Sequence, residues 1–534
     1  MNLYIIVEKE EKVEIFNKSG KLLRSFSIKE NLPQALDLLQ QFNKLTDQKG
    51  NFLYNLFLYK EISLWAFHQE FIFWQYFRDF SKYEEVYKFV CEQGSGITLQ
   101  TKDASSELRR ILRAVPHAKI IPCSFFKTII NSVVSFVLKV LAWLVTYWAL
   151  IKLKSKKEIK VIYSPDKYSK FGCDFRIYPL YKYLQENKKD YLEIFHTGWG
   201  KEFLSNLLKR KRVAIYLESL VWYPNQNNFK IDEADFSSFP NHLSNFFKFL
   251  LKEMLARMSY SQQLILKLEK ILSKTAITEI MALDDMRYTN ELVVACKKNN
   301  IKIYGLQHGQ FTKYHVGWMN YGLPKERGVA FDKLFVWNEY WRNLLLKYST
   351  QYDEKNVVVG GWLRRLPEIV WEEKKTTSEE KKIISILLPF EISLSPEEIS
   401  GYVRKFLLLG VKIFFKVRPD LTREKQLKHY GFLSTDNVEV VETVDGQILS
   451  QIDAVVGVYS TFLSEMIYYE KPLIQLDCSF DLGHYLKDDN LAGQLPKDFN
   501  LEILNNLIKN YHSQKNVVWP QTKDINTLFA EILN

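Results

Sequence analysis

The chain has 534 residues, 47% of them hydrophobic and 25% charged, an ordinary balance for a globular protein with room for two or three domains. Its formal net charge of +11 and isoelectric point near 9.0 favour an anionic partner, whether nucleotide, nucleic acid or membrane surface, without choosing among them. Cys91, Cys123, Cys173, Cys296 and Cys478 are widely spaced with no CxxC pair, which argues against a disulfide scaffold or a zinc site and fits a reducing cytoplasm.

The opening MNLYIIVEKEEKVEIF has no basic region, long apolar core or cleavage site, so no signal peptide is expected. Short strands are expected at Leu3–Val7, Lys12–Phe16 and Leu22–Ile28. A helix follows near Leu32–Phe42, then an aromatic helical stretch over Glu61–Phe89 and a returning strand at Gly94–Gln100. Residues 1–120 are read as an accessory or partial α/β region.

Residues 121–157 hold the most hydrophobic segment, FFKTIINSVVSFVLKVLAWLVTYWALIK. Lys127, Asn131, Ser135 and Lys139 recur every fourth residue and share one narrow helical face. The length would span a bilayer, but a lysine at its centre costs at least roughly 2.5 kcal/mol. An amphipathic helix lying at the membrane surface is the leading expectation, ahead of a packed helix and a span. The basic flank Lys152, Lys154, Lys156 and Lys157 suits anionic headgroups.

From Ile159 strands and helices alternate: IKVIYSP as a buried strand, Asp174–Glu186 as a helix, Tyr191–His196 as a strand. The stretch ITEIMALDDMRYTNELVVACKKNNIKIYGLQHG then reads strand, acidic turn, helix, strand and a histidine-containing turn. Asp332–Trp337 and Asn356–Gly361 are further strands. The charged run 372–382 is a linker or loop, and a second α/β region starts at IISILLP. The expectation is an α/β chain with two Rossmann-like domains, 158–375 and 376–534 with a helical tail, and a ligand held between them.

The candidate chemistry sits at strand ends, where open α/β sheets bind ligands. His308 has the ordinary pKa of a general base, and Gly309 beside it lets a ligand approach the backbone. Asp285, after Asp284 in ALDDMRY, is the other candidate base; a helix N-cap is the alternative role for either aspartate. Ser460 and Thr461, in VYSTFLSE before a helix, offer hydroxyls and N–H groups to a phosphate, although plain N-capping uses the same residues. Glu465 lies one turn into that helix, within reach of a ribose hydroxyl. Lys416 and Arg418 end the strand FFKVRPD, and arginine's forked donors suit a phosphate. No His/Asp/Glu cluster has metal-ligand spacing, so no metal is expected.

Three blocks carry a family resemblance: IYGLQHGQF with FDKLFVWNEYWRNLL and NVVVGGW, then KVRPD, then DAVVGVYSTFLSEMIYYEKPLIQLD. Across residues 159–480 the sequence resembles the GT-B glycosyltransferases of bacterial capsule and lipopolysaccharide synthesis. It is similar to the Kdo and sialic acid transferases and to the CDP-glycerol glycerophosphotransferases. The resemblance implies a nucleotide-sugar donor on the C-terminal domain and a saccharide or lipid-linked acceptor on the N-terminal one. It further implies His308 as base or phosphate contact, with Gly309 and Gln310 beside the donor and Ser460 and Thr461 on its phosphate. The departure is Arg418-Pro419-Asp420, where relatives carry a histidine that contacts the donor phosphate.

The resulting expectation is metal-independent, inverting transfer with no cofactor beyond the donor, in the cytoplasm on the inner face of the membrane. Rivals are a CDP-alcohol phosphotransferase and a non-catalytic polysaccharide-assembly protein on a degenerate scaffold. An epimerase of the same fold would not need a membrane-adhesive segment. Nucleic acid is not expected, since the positive charge is spread out and carries no recognised motif.

Overall fold

A computed structural model describes residues 3–9, 12–94, 96–121, 125–153, 158–167, 172–197, 201–209, 214–222, 229–283, 287–361, 383–391, 394–418, 421–431, 437–478, 482, 485–488, 490–511 and 525–533. The chain divides into two compact units. The first comprises residues 1–337, 341–364 and 522–534, and the second comprises 365–521 with 338–340.

The first unit opens with strands β1 (Leu3–Lys9), β2 (Lys12–Asn17) and β3 (Leu22–Ser27), followed by helices α1 (Leu32–Asn43) and α2 (Arg78–Glu92). Strands β4 (Thr98–Asp103) and β5 (Lys119–Ile121) complete a mixed sheet of order β3-β2-β1-β4-β5. Asn31 caps α1 by accepting from Gln34 N, and Leu32, Ala35, Leu38, Leu39 and Phe42 bury one face. A π-turn at Phe73–Phe77 precedes α2, and Phe77, Phe80 and Tyr87 pack edge-on or stacked against Phe246. The aromatic stretch is therefore a core layer of this unit.

Helix α3 spans Phe125–Leu153. Among its described side chains the buried positions are Leu138, Ala142, Thr146, Ala149 and Leu153, one face by their spacing of three and four. That face covers strand β8, introduced below. Thr146 Oγ1 accepts the Tyr216 N–H at 3.0 Å, and Lys139 Nζ donates to the Val221 carbonyl at 2.7 Å. The helix thus turns Ala142, Thr146 and Ala149 inward between Leu138 and Leu153, while Val133, Phe136, Val137, Leu144, Tyr147 and Trp148 are each at least half exposed. The stretch Val133–Leu153 is long and apolar enough to cross a membrane by length and composition.

The Rossmann-like sheet of this unit contains β6 (Ile159–Pro165), β7 (Tyr191–His196), β8 (Ala214–Tyr216), β9 (Ile277–Leu283), β10 (Lys302–Leu306), β11 (Lys333–Val336) and β12 (Val357–Val359). All pairings are parallel, in the order β8-β7-β6-β9-β10-β11-β12. That is a doubly wound order with its switch point between β6 and β9. The 32-residue helix α4 (Asn241–Leu272) precedes β9, and α5 (Thr289–Lys298) joins β9 to β10.

The second unit repeats the plan. Its strands are β13 (Ser385–Pro389), β14 (Lys412–Lys416), β15 (Val438–Val441), β16 (Ala454–Gly457), β17 (Leu473–Leu476) and β18 (Gly493–Leu495). They pair in parallel in the order β15-β14-β13-β16-β17-β18, with a switch point between β13 and β16. Continuous apolar runs such as Ile386–Leu388 and Ile413–Phe415 are buried because helices cover both faces. Helix α6 (Pro396–Leu408) has Ser395 as N-cap and Pro396 in its first turn. Helix α7 (Arg423–Tyr430) stops at Gly431, φ +66°. Helix α8 (Thr461–Tyr468) follows β16 directly.

The α/β class and the two Rossmann-like sheets match the sequence expectation. The tail does not stay with 376–534: the last helix, α9 (Ile525–Leu533), buries Leu528, Phe529 and Ile532 against Ile177, Tyr183 and Phe335 of the first unit. Its apolar residues find their partners there.

Candidate functional site

In the second unit the switch point is occupied from within. Glu391, two residues past the end of β13, is 2% exposed. Its Oε1 accepts the N–H groups of Val458 and Ser460 at 2.8 and 3.1 Å, and its Oε2 accepts that of Tyr459 at 3.1 Å. Gly457 makes this possible, because a Cβ there would stand 2.7 Å from Glu391 Oε1. Burial pushes the Glu391 carboxyl up to about 7, against the pull of those three N–H groups and the Arg418 charge. Tyr430, fully buried, locks the approach by donating to the Pro389 carbonyl at 3.0 Å and accepting from Glu391 N at 2.5 Å.

Of the residues expected at the donor, Lys416, Arg418, Ser460, Thr461 and Glu465 lie in the second unit with this clamp, whereas Gly309 and Gln310 lie in the first. Ser460 is the N-cap of α8, its hydroxyl accepting Phe462 N at 3.3 Å, and its own N–H is taken by Glu391. The backbone donors of residues 458–460 thus serve the protein's own carboxylate. Thr461 begins the helix and is half-buried. Lys416 Nζ donates to the Val417 carbonyl at 3.1 Å and lies 5.5 Å from the Phe462 ring centroid. The Arg418 backbone is fixed by buried Gln426, which accepts Arg418 N at 2.7 Å and donates to its carbonyl at 2.9 Å. Glu465 is buried in α8. Gln475, fully buried, donates to the Val458 carbonyl at 2.8 Å and holds the other side of the turn. Lys416, Arg418, Ser460 and Thr461 therefore share one sheet edge with Glu391.

In the first unit the histidine turn leaves β10. Gln307, 1% exposed, ties it to β11: Oε1 accepts Trp337 N at 2.8 Å, Nε2 donates to the Gly309 carbonyl at 2.9 Å, and the Gln307 carbonyl accepts Trp337 Nε1 at 2.9 Å. This places His308 half-buried at the strand end, followed by Gly309, whose Cβ position meets no atom within 4 Å, and by buried Gln310. His315 lies close by: burial first, and the His308 charge as well, bring its pKa down to about 4, and its Nδ1 accepts Thr312 N at 3.0 Å. Asp284 and Asp285 lie outside the described residues. Among the described residues no group of His, Cys, Asp and Glu is placed to hold a metal ion.

Sequence reasoning missed Glu391, Gln426, Tyr430 and Gln475. Glu391 was findable, as the carboxylate immediately after the buried run IISILLPF. Gln426 and Tyr430 sit in the polar helix REKQLKHY and Gln475 in the apolar strand LIQL, and only the fold shows that their polar ends meet backbone groups.

No protein-family model matches the chain, and no curated protein matches it. Solved structures do. The UDP-GlcNAc 2-epimerase of Methanocaldococcus jannaschii is 12% identical over 70% of this chain and 99% of its own, with a TM-score of 0.38. The S. aureus MnaA–UDP co-structure is 15% identical over 71% of this chain and 95% of its own, at 0.40. Acinetobacter baumannii MurG is 11% identical over 71% and 99%, at 0.38. At these identities and scores, what the chain does has to be read from its own residues.

Proposed function

We propose that the chain is a glycosyltransferase that moves a sugar from a nucleotide-sugar donor to a surface polysaccharide or lipid-linked acceptor, without a metal and with inversion. The observation that carries this reading is the edge of the second sheet. There Lys416, Arg418 and the Ser460–Thr461 turn converge at the strand ends beside a switch point. Glu391 supports it by fixing the turn before any ligand arrives, so that ordering it is not charged to binding. The likeness of IYGLQHGQF, KVRPD and DAVVGVYSTFLSE to the capsule and lipopolysaccharide transferases adds the reaction class.

In this reading the donor binds the second unit and Arg418 and Lys416 neutralise charge developing on the leaving nucleotide. His308 on the first unit takes the proton of the acceptor hydroxyl as the glycosidic bond forms. The apolar face of α3 holds the enzyme on the cytoplasmic surface of the membrane, near a lipid-linked acceptor. The inward-facing positions of that helix are already committed to β8, which favours lying on the surface over spanning.

The test is nucleotide binding to the full chain by thermal shift with CMP, CDP, UDP, GDP and dTDP. One nucleotide should stabilise the protein by about 2.7 kcal/mol at 100 times its dissociation constant. The shift should be lost in Arg418→Ala. Product analysis then separates the chemistries, since a phosphodiester in the product would establish the alcohol-phosphate transferase instead. Absence of any nucleotide shift would overturn the reading.

A further inference from the structure

We infer, resting on the reading of His308 as the base, that Glu70 and Trp74 of the N-terminal region are positioning residues for His308. They hold the loop that carries this histidine, which makes residues 1–120 a working part of the site rather than an accessory to it.

The loop after His308 is closed on itself. Phe311, fully buried, meets the Trp318 ring edge-on at 4.0 Å and the Trp341 ring at 4.9 Å. His315 N donates to the Thr312 carbonyl at 3.0 Å, and Trp318 N donates to the His315 carbonyl at 3.1 Å. The His315 ring accepts Thr312 N in return. Residues 311–318 therefore form one body, and the anchors of that body set where His308, just upstream, can stand. Gln307 is the anchor on the near side, through Trp337.

On the far side the anchor is Gly317, gripped from two directions. Glu70 Oε2 accepts its N–H at 2.7 Å, and buried Gln351 donates to its carbonyl at 3.1 Å. A Cβ on residue 317 would stand 3.1 Å from Glu70 Oε2 and 3.2 Å from Glu70 Cβ, so a glycine is what lets the two segments come this close. Trp74 supplies the second contact, its ring 5.7 Å from that of His315 at an interplanar angle of 63°. Glu70 and Trp74 are one helical turn apart and share a face of the stretch that runs from Gln69–Ile72 into the π-turn Phe73–Phe77. A π-turn inside a helix re-aims the side chains around it.

The seam continues downstream. Asn43 Nδ2 donates to the Tyr321 carbonyl at 2.8 Å while its Oδ1 accepts Trp65 Nε1 at 2.7 Å, and Arg327 Nη1 donates to the Glu61 carbonyl at 2.9 Å. Loops at strand ends are ordinarily the mobile parts of such a fold. A reacting group misplaced by about 1 Å can lose on the order of a hundredfold in rate, which is what a brace of this kind prevents.

Carbethoxylation of the full chain with diethyl pyrocarbonate, read at each histidine by mass spectrometry, tests the placement without a substrate. Labelling of His308 should rise at least about threefold in Glu70→Ala and in Trp74→Ala, with exposed His117 and with His429 of the second unit unchanged. Glu70→Gln, whose amide oxygen still accepts the Gly317 N–H, and Trp74→Phe should label like the parent. Gly317→Ala presses on the same contact from the loop's side and should reproduce the rise even where Glu70→Ala fails to fold. Nucleotide release from UDP-N-acetylglucosamine, GDP-mannose, dTDP-glucose and CMP-N-acetylneuraminate adds the chemical readout. There kcat should fall at least about tenfold in Glu70→Ala with KM unchanged, and recover in Glu70→Gln. His308 labelling unchanged in Trp74→Ala and Gly317→Ala, an equal rise in the conservative pair, or kcat unchanged in Glu70→Ala would overturn the inference. Should the parent show neither a nucleotide shift nor nucleotide release, the transferase reading falls, while the labelling still decides what holds His308.

Discussion

Backbone groups of the turn after β10 in the first unit and of the turn after β16 in the second are each met by a buried polar side chain, Gln307 and Glu391, yet the two clamps differ in charge. Gln307 offers one acceptor and one donor, and uses both, on Trp337 N and the Gly309 carbonyl. Glu391 offers acceptors only and uses them on three consecutive N–H groups. A neutral clamp is indifferent to pH. A carboxylate clamp in the same kind of place sets the N–H groups well but has to be ionised out of water to do so. The glycines beside them differ as well: Gly457 is crowded by the clamp itself, whereas Gly309 stands in open space.

The largest expected effect comes from removing the charge. The Glu391 carboxyl sits at about 7 in the folded protein against 4.5 for the free group, so folding is favoured when the proton is on. Its contribution is fully present below pH 4.5 and is lost as pH rises through 7, a swing of about 3 kcal/mol. Glu218 in the first unit is likewise raised to about 7 by burial and adds a slope of the same sign. Urea unfolding across this range should show Glu391→Gln and Glu218→Gln each losing its own share of that slope, over a background of opposite sign from His68, His196 and His315, whose pKa values burial lowers. An unchanged slope in Glu391→Gln would mean that the three N–H donors fully offset burial.

Next comes Gly457→Ala. Its methyl would stand 2.7 Å from Glu391 Oε1 and 3.1 Å from Leu463 Cδ2, so either the carboxylate or the leucine must move. A loss of about 2 kcal/mol in urea unfolding is expected, accompanied by weaker nucleotide binding as the turn loosens. Smaller still is Gln307→Leu, which leaves the Trp337 N–H and the Gly309 carbonyl without the amide. About 1.5 kcal/mol should be lost, equally at acid and alkaline pH. A pH-dependent loss there would erase the contrast between the two clamps.

Much of this was legible in the sequence because buried parallel strands are written as plain apolar runs. Ile159–Pro165, Tyr191–His196 and the histidine turn fall where the pattern puts them. The long helix Asn241–Leu272 was passed over, although Phe246, Phe247, Leu250, Leu251 and Met254 carry a helical spacing. Helix Phe125–Leu153 was legible as a helix but not in its orientation. Covering an edge strand needs a polar atom to accept the strand's free N–H, so Thr146 faces the protein and accepts from Tyr216, Lys139 on the same side donates to the Val221 carbonyl, and Val133, Phe136, Val137, Leu144, Tyr147 and Trp148 face out. The residues named for the donor site were found at strand ends by topology alone. The clamp that organises them was not, because an acidic side chain accepting three backbone donors leaves no periodic trace.

Gly309→Ala should have the smallest effect on stability and is the sharpest test of the open turn. Nothing lies within 4 Å of the added methyl, so unfolding free energy should stay within about 0.5 kcal/mol of the parent. If a substrate approaches the backbone beside His308, the same methyl occupies its space, and transfer should fall by about tenfold or more. The outcome at Gly457 cannot be confused with this one, since there activity and stability fall together. Stability and transfer both unchanged in Gly309→Ala would place the reacting groups away from the histidine turn and leave His308 without the role proposed for it. Loss of transfer with full stability would mean that the space above Gly309 belongs to the ligand.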